Sequence, residues 1–175
     1  MAEVEIHTGH EASTDPFGQR VGIAVGVIGV LLSVVTILGH REHNAAVVRK
    51  TEANDQWAYY QAKKIREHNA QIGATLLSAL APDPAKVAAI GARLTEDSQR
   101  YAREGEDIRV LAQRLDQESQ HSEQRALRLD VGEGFLELGL VMCSLYFLSR
   151  KRLFVFLGAA GAVAGTLIGA FGWLS

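Results

Sequence analysis

The sequence predicts an all-α membrane protein with three transmembrane (TM) helices and a long antiparallel coiled-coil hairpin between the first and the second. Three observations carry this. The 18 bases and 20 acids are segregated, leaving Val21 to Gly39 and Leu153 to Leu174 without any charge. A bilayer core is crossed by about 20 apolar residues, so each run is long enough to span it. Between them lies a charged, alanine-rich, proline-poor stretch with a sustained seven-residue repeat.

The elements follow in order. Residues 1–16 hold Glu3, Glu5, Glu11 and Asp15 among small polar residues and read as a disordered acidic tail. TM1, residues 17–39, is too long for the apolar core of a cleavable signal peptide and reads as an uncleaved anchor. Residues 40–130 contain fourteen bases and fourteen acids. That balance predicts a solvated helical surface and no nucleic-acid partner. The segment breaks once, at 81–84, where Asp83 before Pro84 is a cap followed by proline at a first helical position. TM2 follows at 131–148, a basic turn at 149–152, and TM3 at 153–174.

Both hairpin arms carry heptad rows. In the first, Ala58, Ala62, Ile65, Asn69, Ile72, Leu76 and Ala79 alternate at spacings of four and three, as a coiled-coil seam does. In the second, Val87, Leu94, Tyr101, Ile108, Leu115, Ser122 and Leu129 recur every seven residues beside a row of Gly91, Ser98, Gly105, Ala112, Ser119 and Ala126. A large row next to a uniformly small one predicts close approach of two helices.

Small residues at regular spacing also mark packing faces in lipid. TM1 carries Gly22, Gly26 and Gly29, and TM3 carries Gly161, Gly165 and Gly169, with Gly158 and Gly172 seven residues either side of Gly165. These faces predict an intramolecular three-helix bundle in the lipid bilayer and are candidates for a homo-oligomer. The single cysteine, Cys143, reads as packing within TM2. Arg20 and the turn bases Arg150, Lys151 and Arg152 share one side, which the positive-inside rule makes cytoplasmic. The hairpin is then periplasmic or external, although Arg41, Arg49, Lys50, Arg125 and Arg128 compete from its side.

The segment Asn54-Asp55-Gln56-Trp57-Ala58-Tyr59-Tyr60-Gln61-Ala62-Lys63-Lys64-Ile65 resembles that of a family of small bacterial membrane proteins classed only as a domain of unknown function. Its members share an N-terminal membrane helix, a DQWAYYQAK-type segment, a charged helical middle and a membrane hairpin with a basic turn. The resemblance covers roughly Val21 to the C-terminus. It implies the inner membrane of a bacterial envelope and brings no activity.

Few residues suggest chemistry. His40 and His43 lie a helical turn apart where TM1 ends, and Glu133 and Glu137 share a face where TM2 begins. Together they are a candidate set of ligands for Zn, Mn or Fe. His7 and His10 repeat the spacing in the tail. Glu137, counted back from the turn at Pro82, falls below the membrane surface unless Gly105 or Gly132 to Gly134 breaks the helix. An acid there is costly and marks a site of proton or cation handling, or a structural pair with His40 or Arg41. Asp55, Trp57, Tyr59 and Tyr60 form a candidate partner-binding patch, too far from Gly39 for an interfacial aromatic belt. There is no phosphate loop, nucleophile–base pair or nucleotide fingerprint, and no cofactor is expected. The reading is a non-enzymatic multi-pass envelope protein that scaffolds or contacts an unknown protein partner through its hairpin. The alternative is a small oligomeric channel or transporter-accessory subunit using Glu137 and the glycine-rich TM3.

Overall fold

A computed structural model describes residues 15–80 and 84–174. The described chain is all-helical: α1 spans Pro16–Leu80, α2 spans Pro84–Ser149 and α3 spans Arg152–Leu174. Each helix contains a stretch long and apolar enough to cross a membrane. The tail up to residue 14, with His7 and His10, lies outside the described residues, as does the expected cap at Asp83.

Local chemistry sets the helix ends. Asp15, expected within the tail, instead caps α1: its carboxylate accepts a hydrogen bond from the Phe17 N–H at 3.1 Å, and Pro16 takes the first helical position. Pro84 opens α2 in the same way. Between α2 and α3, Arg150 adopts a left-handed backbone with φ of 56°, and its N–H closes on the Tyr146 carbonyl at 2.8 Å. Such a residue ends a helix by turning the chain away from the axis. Gly105, Gly132 and Gly134 do not interrupt α2, which continues unbroken over 66 residues.

The chain divides into two compact units, the first comprising residues up to 37 together with 128–175. Its helices bury residues seven apart: Val21, Ile28 and Val35 of α1, and Leu129, Leu136 and Cys143 of α2. Gly158, Gly165 and Gly172 repeat the interval on α3. α2 and α3 touch backbone to backbone. A Cβ placed on Gly132 would lie 2.9 Å from the Gly165 carbonyl oxygen, and one on Gly139 would lie 2.8 Å from that of Gly158. One on Gly158 would lie 2.5 Å from the Cys143 sulfur, which accounts for the burial of that thiol as packing.

The expected glycine stripe of α3 therefore divides its work. Gly165 faces α2, Gly169 faces Val35 of α1, and Gly161 stands farther off, with Phe135 and Gly139 at 3.4 to 3.6 Å from its Cβ position. Of Gly22, Gly26 and Gly29 on α1, only Gly29 meets a neighbour among the described residues, Leu140 at 3.8 Å. Gly22 and Gly26 have nothing within 4 Å among the described residues, so they pack against none of them. The reason is that α1 turns its valine and isoleucine row inward. The small residues doing the packing were Gly132 and Gly139, two turns apart on α2.

The second unit comprises residues 38–127. Here contacts step backward along α2 as they step forward along α1: Glu42 meets Arg125, Lys50 meets Asp116, Lys63 meets Glu104, and Gly73 faces Leu94. The small row of α2 forms the floor of this contact. Ser98, Gly105, Ala112, Ser119 and Ala126 are all buried, and the larger row flanks them. Its counterpart on α1 is not the expected one. Ala46, Ala53 and Ala70 are buried, whereas Ala58, Ala62, Ile65, Asn69, Ile72, Leu76 and Ala79 are all exposed. Alanine suits close approach to the alanines and serines of this floor, where isoleucine would hold the helices apart, and larger side chains enter only where the floor is Gly105.

Candidate functional site

The polar groups of the second unit form a ladder along its contact. At the Leu38 end, the Arg125 guanidinium lies 3.2 Å from the Glu42 carboxylate, and Arg49 donates to the Ser122 hydroxyl. The buried Ser119 hydroxyl donates to the Ala46 carbonyl at 2.9 Å, satisfying a polar group that would otherwise be costly to bury. Asp116 receives two donors, Lys50 Nζ at 2.7 Å and Trp57 Nε1 at 2.8 Å. These bonds, that from Lys50 first, hold its carboxyl below the usual carboxylate range.

Farther along, Lys63 forms an ion pair with Glu104 while its ammonium sits 5.3 Å from the Tyr59 ring centroid and 5.5 Å from that of Tyr101. The hydrogen bond between the two raises Lys63 above the ordinary lysine value and lowers Glu104. Trp57 meets Tyr60 edge to face at 5.8 Å. The absence of a side chain at Gly105 admits this cluster: its Cβ position lies 3.7 Å from both Tyr60 and Lys63. The four residues expected as one patch thus separate. Trp57 and Tyr60 turn toward α2 and are partly buried, while Asp55 and Tyr59 stay exposed. An open groove of about 390 Å³ beside the ladder is lined by His43, Val47, Lys50, Ser119, Gln120 and Glu123.

In the first unit, Glu133 accepts a hydrogen bond from the Thr36 hydroxyl at 2.7 Å. That contact sets Glu133 level with the last turn of the uncharged run of α1. Leu140, which approaches Gly29, lies two turns farther along α2. Glu137 falls between these levels, inside the apolar segment. Its side chain is exposed, and among the described residues no hydrogen bond or ion pair reaches it. The expected pair with His40 or Arg41 is not formed. At the other end of this unit, Asp15 accepts from Tyr146 at 3.0 Å and from Arg150 at 2.8 Å. The start of α1 and the basic turn therefore meet, a clasp for which the sequence offered only scattered acids and bases.

The metal set is likewise not assembled. Among the described residues no group of three or more His, Cys, Asp or Glu side chains could hold a metal ion. His40 and Glu137 both point outward, and Glu133 is engaged by Thr36.

Compared with known families, residues 17–175 match the model of a Domain of unknown function (DUF4337). No curated protein and no solved structure matches the chain.

Proposed function

The chain belongs to the DUF4337 family, and on that footing we propose, from its own residues, a non-enzymatic multi-pass protein of the bacterial inner membrane that scaffolds or contacts a protein partner. The partner-facing element is an antiparallel coiled-coil hairpin formed by residues 40–130. The observation that carries this reading is the ladder. Small-on-small packing and cross-helix ion pairs lock two helices together while leaving a mixed-charge surface and the Asp55 and Tyr59 side chains available to another molecule. The clasp of Asp15 with Arg150 supports putting Arg20 and the basic turn on one face of the membrane, the cytoplasmic one, with the hairpin periplasmic or external.

Glu137 favours a second reading. A carboxylate level with the apolar segment and turned outward is expensive in lipid unless another subunit or water meets it. An oligomeric channel or transporter-accessory subunit would supply both. Affinity purification of the full-length protein from native membranes, followed by ion-leak measurements on reconstituted liposomes, separates the two. A stoichiometric second protein, released by Tyr59→Ala with Asp55→Ala, supports the scaffold. A homo-oligomer with a leak abolished by Glu137→Gln supports the channel. Recovery of the chain alone, with no leak, refutes both.

A further inference from the structure

The outward row of α1 is an unused coiled-coil seam. Ile65, Ile72 and Leu76 are 62%, 44% and 52% exposed. They are aligned at heptad spacing on a helix whose neighbouring positions are Lys63, Lys64, Arg66 and Glu67. Single exposed aliphatics are ordinary, but an aligned uncharged row along a charged helix marks an interaction surface. The spacing assigns Ala62, Asn69 and Leu76 to position a, and Ile65 and Ile72 to position d.

Asn69 identifies the occupant. Against a partner's aliphatic seam its amide would be buried without hydrogen bonds. Against another Asn69, in a parallel helix in the same register, each amide satisfies the other; a single asparagine at position a specifies this pairing. A second copy of this chain is the partner that supplies the same asparagine at the same level. Copies inserted alike in one bilayer also send α1 out in the same direction, as a parallel pair requires; this point and the anchoring invoked below rest on the membrane reading above. Across the seam, Gln61 would face Arg66 of the second copy and His68 would face Gly73, so no like charges oppose each other at the flanking positions. About three heptads make a weak dimer in free solution, but anchoring in a bilayer raises the effective concentration. We propose that the Ala58 to Ala79 face of α1 is the seam of a parallel, in-register homodimer centred on Asn69.

Disulfide trapping of the full-length protein in membranes tests this. In a Cys143→Ala background, Ile72→Cys and Leu76→Cys should each give a homodimer on mild oxidation, at least several-fold more than Lys64→Cys on the same helix outside the seam. Adding Asn69→Asp, which faces two carboxylates across the seam, should reduce trapping at Ile72→Cys several-fold with helical content unchanged by circular dichroism. Trapping at Lys64→Cys equal to that at Ile72→Cys, or insensitivity to Asn69→Asp, overturns the proposal. So does a mixed disulfide with a different protein, which would leave the scaffold reading standing and assign the row to that partner.

Discussion

Gly132 and Gly134 sit two residues apart on α2, and the same substitution should act on them unequally. In Gly132→Ala the new methyl lies 2.9 Å from the Gly165 carbonyl oxygen and the Gly169 nitrogen, and 3.0 Å from the Gly169 Cα. All three are backbone atoms of one helix and cannot swing aside. Ordinary contact begins near 3.4 Å, so α3 must retreat by about 0.5 Å. A gap of that size forfeits about a quarter of each atom pair's 0.1–0.2 kcal/mol. Over on the order of 40 pairs, about as many as one buried leucine makes, the loss is roughly 1–2 kcal/mol, within the usual range for overpacking. Gly134 has nothing within 4 Å. Gly134→Ala should therefore show only the helix-propensity gain, up to about 1 kcal/mol in stability. Thermal or SDS-induced unfolding of the full-length protein in micelles, followed by circular dichroism, measures both. The propensity gain is common to both variants, so the overpacking loss appears as the difference between them, and equal shifts would refute the backbone-contact account of α2 and α3.

Gly105 is a graded version of the same test: with Tyr60 and Lys63 at 3.7 Å from its Cβ position, Gly105→Ala should be tolerated while Gly105→Leu costs about 1–3 kcal/mol in the melt of the full-length protein. The ladder should also confer acid sensitivity. Glu104 and Asp116 titrate lower in the folded chain than unfolded, through the hydrogen bonds from Lys63 and Lys50 respectively, so their contribution is complete above the ordinary carboxylate pKa of about 4 and is lost as pH falls through their lower folded values. Melting temperature should drop below about pH 4, and less steeply in Asp116→Asn; an unchanged slope would remove Asp116 from the account.

How much of this was legible in the sequence depended on whether a pattern named its own partner. The small row of α2 did, because glycine, alanine and serine at every seventh position suit little besides close helix contact. The row from Ala58 to Ala79 did not. Heptad spacing marks a face as apolar without saying whether the same chain covers it, and the buried alternative, Ala46 with Ala53 and Ala70, is less hydrophobic and interrupted by Tyr60, Lys63 and Glu67. Gly132 and Gly139 escaped notice as packing residues because Gly132, beside Glu133 and Gly134, reads as a possible break in the helix and not as one end of a seven-residue interval. That Glu137 lies within the apolar stretch of α2 was legible by counting residues, but its outward orientation depends on which face of α2 meets α3, and that is decided by those same two glycines.

The link between α2 and α3 has a mechanical consequence. Only Arg150 and Lys151 separate the two helices, and glycine backbones lie in contact on their facing sides. With so short a tether and backbone directly against backbone at Gly132 and Gly139, neither helix can tilt or rotate far without breaking the contact, so the pair behaves as one stiff plank. α1 meets the pair through side chains, Val35 against Gly169 and Leu140 against Gly29, and is tied to it at both ends, by Asp15 and by the Thr36 hydrogen bond to Glu133. Any relative motion within this unit is therefore one of α1 against the pair, and it must give way at one of those two ties.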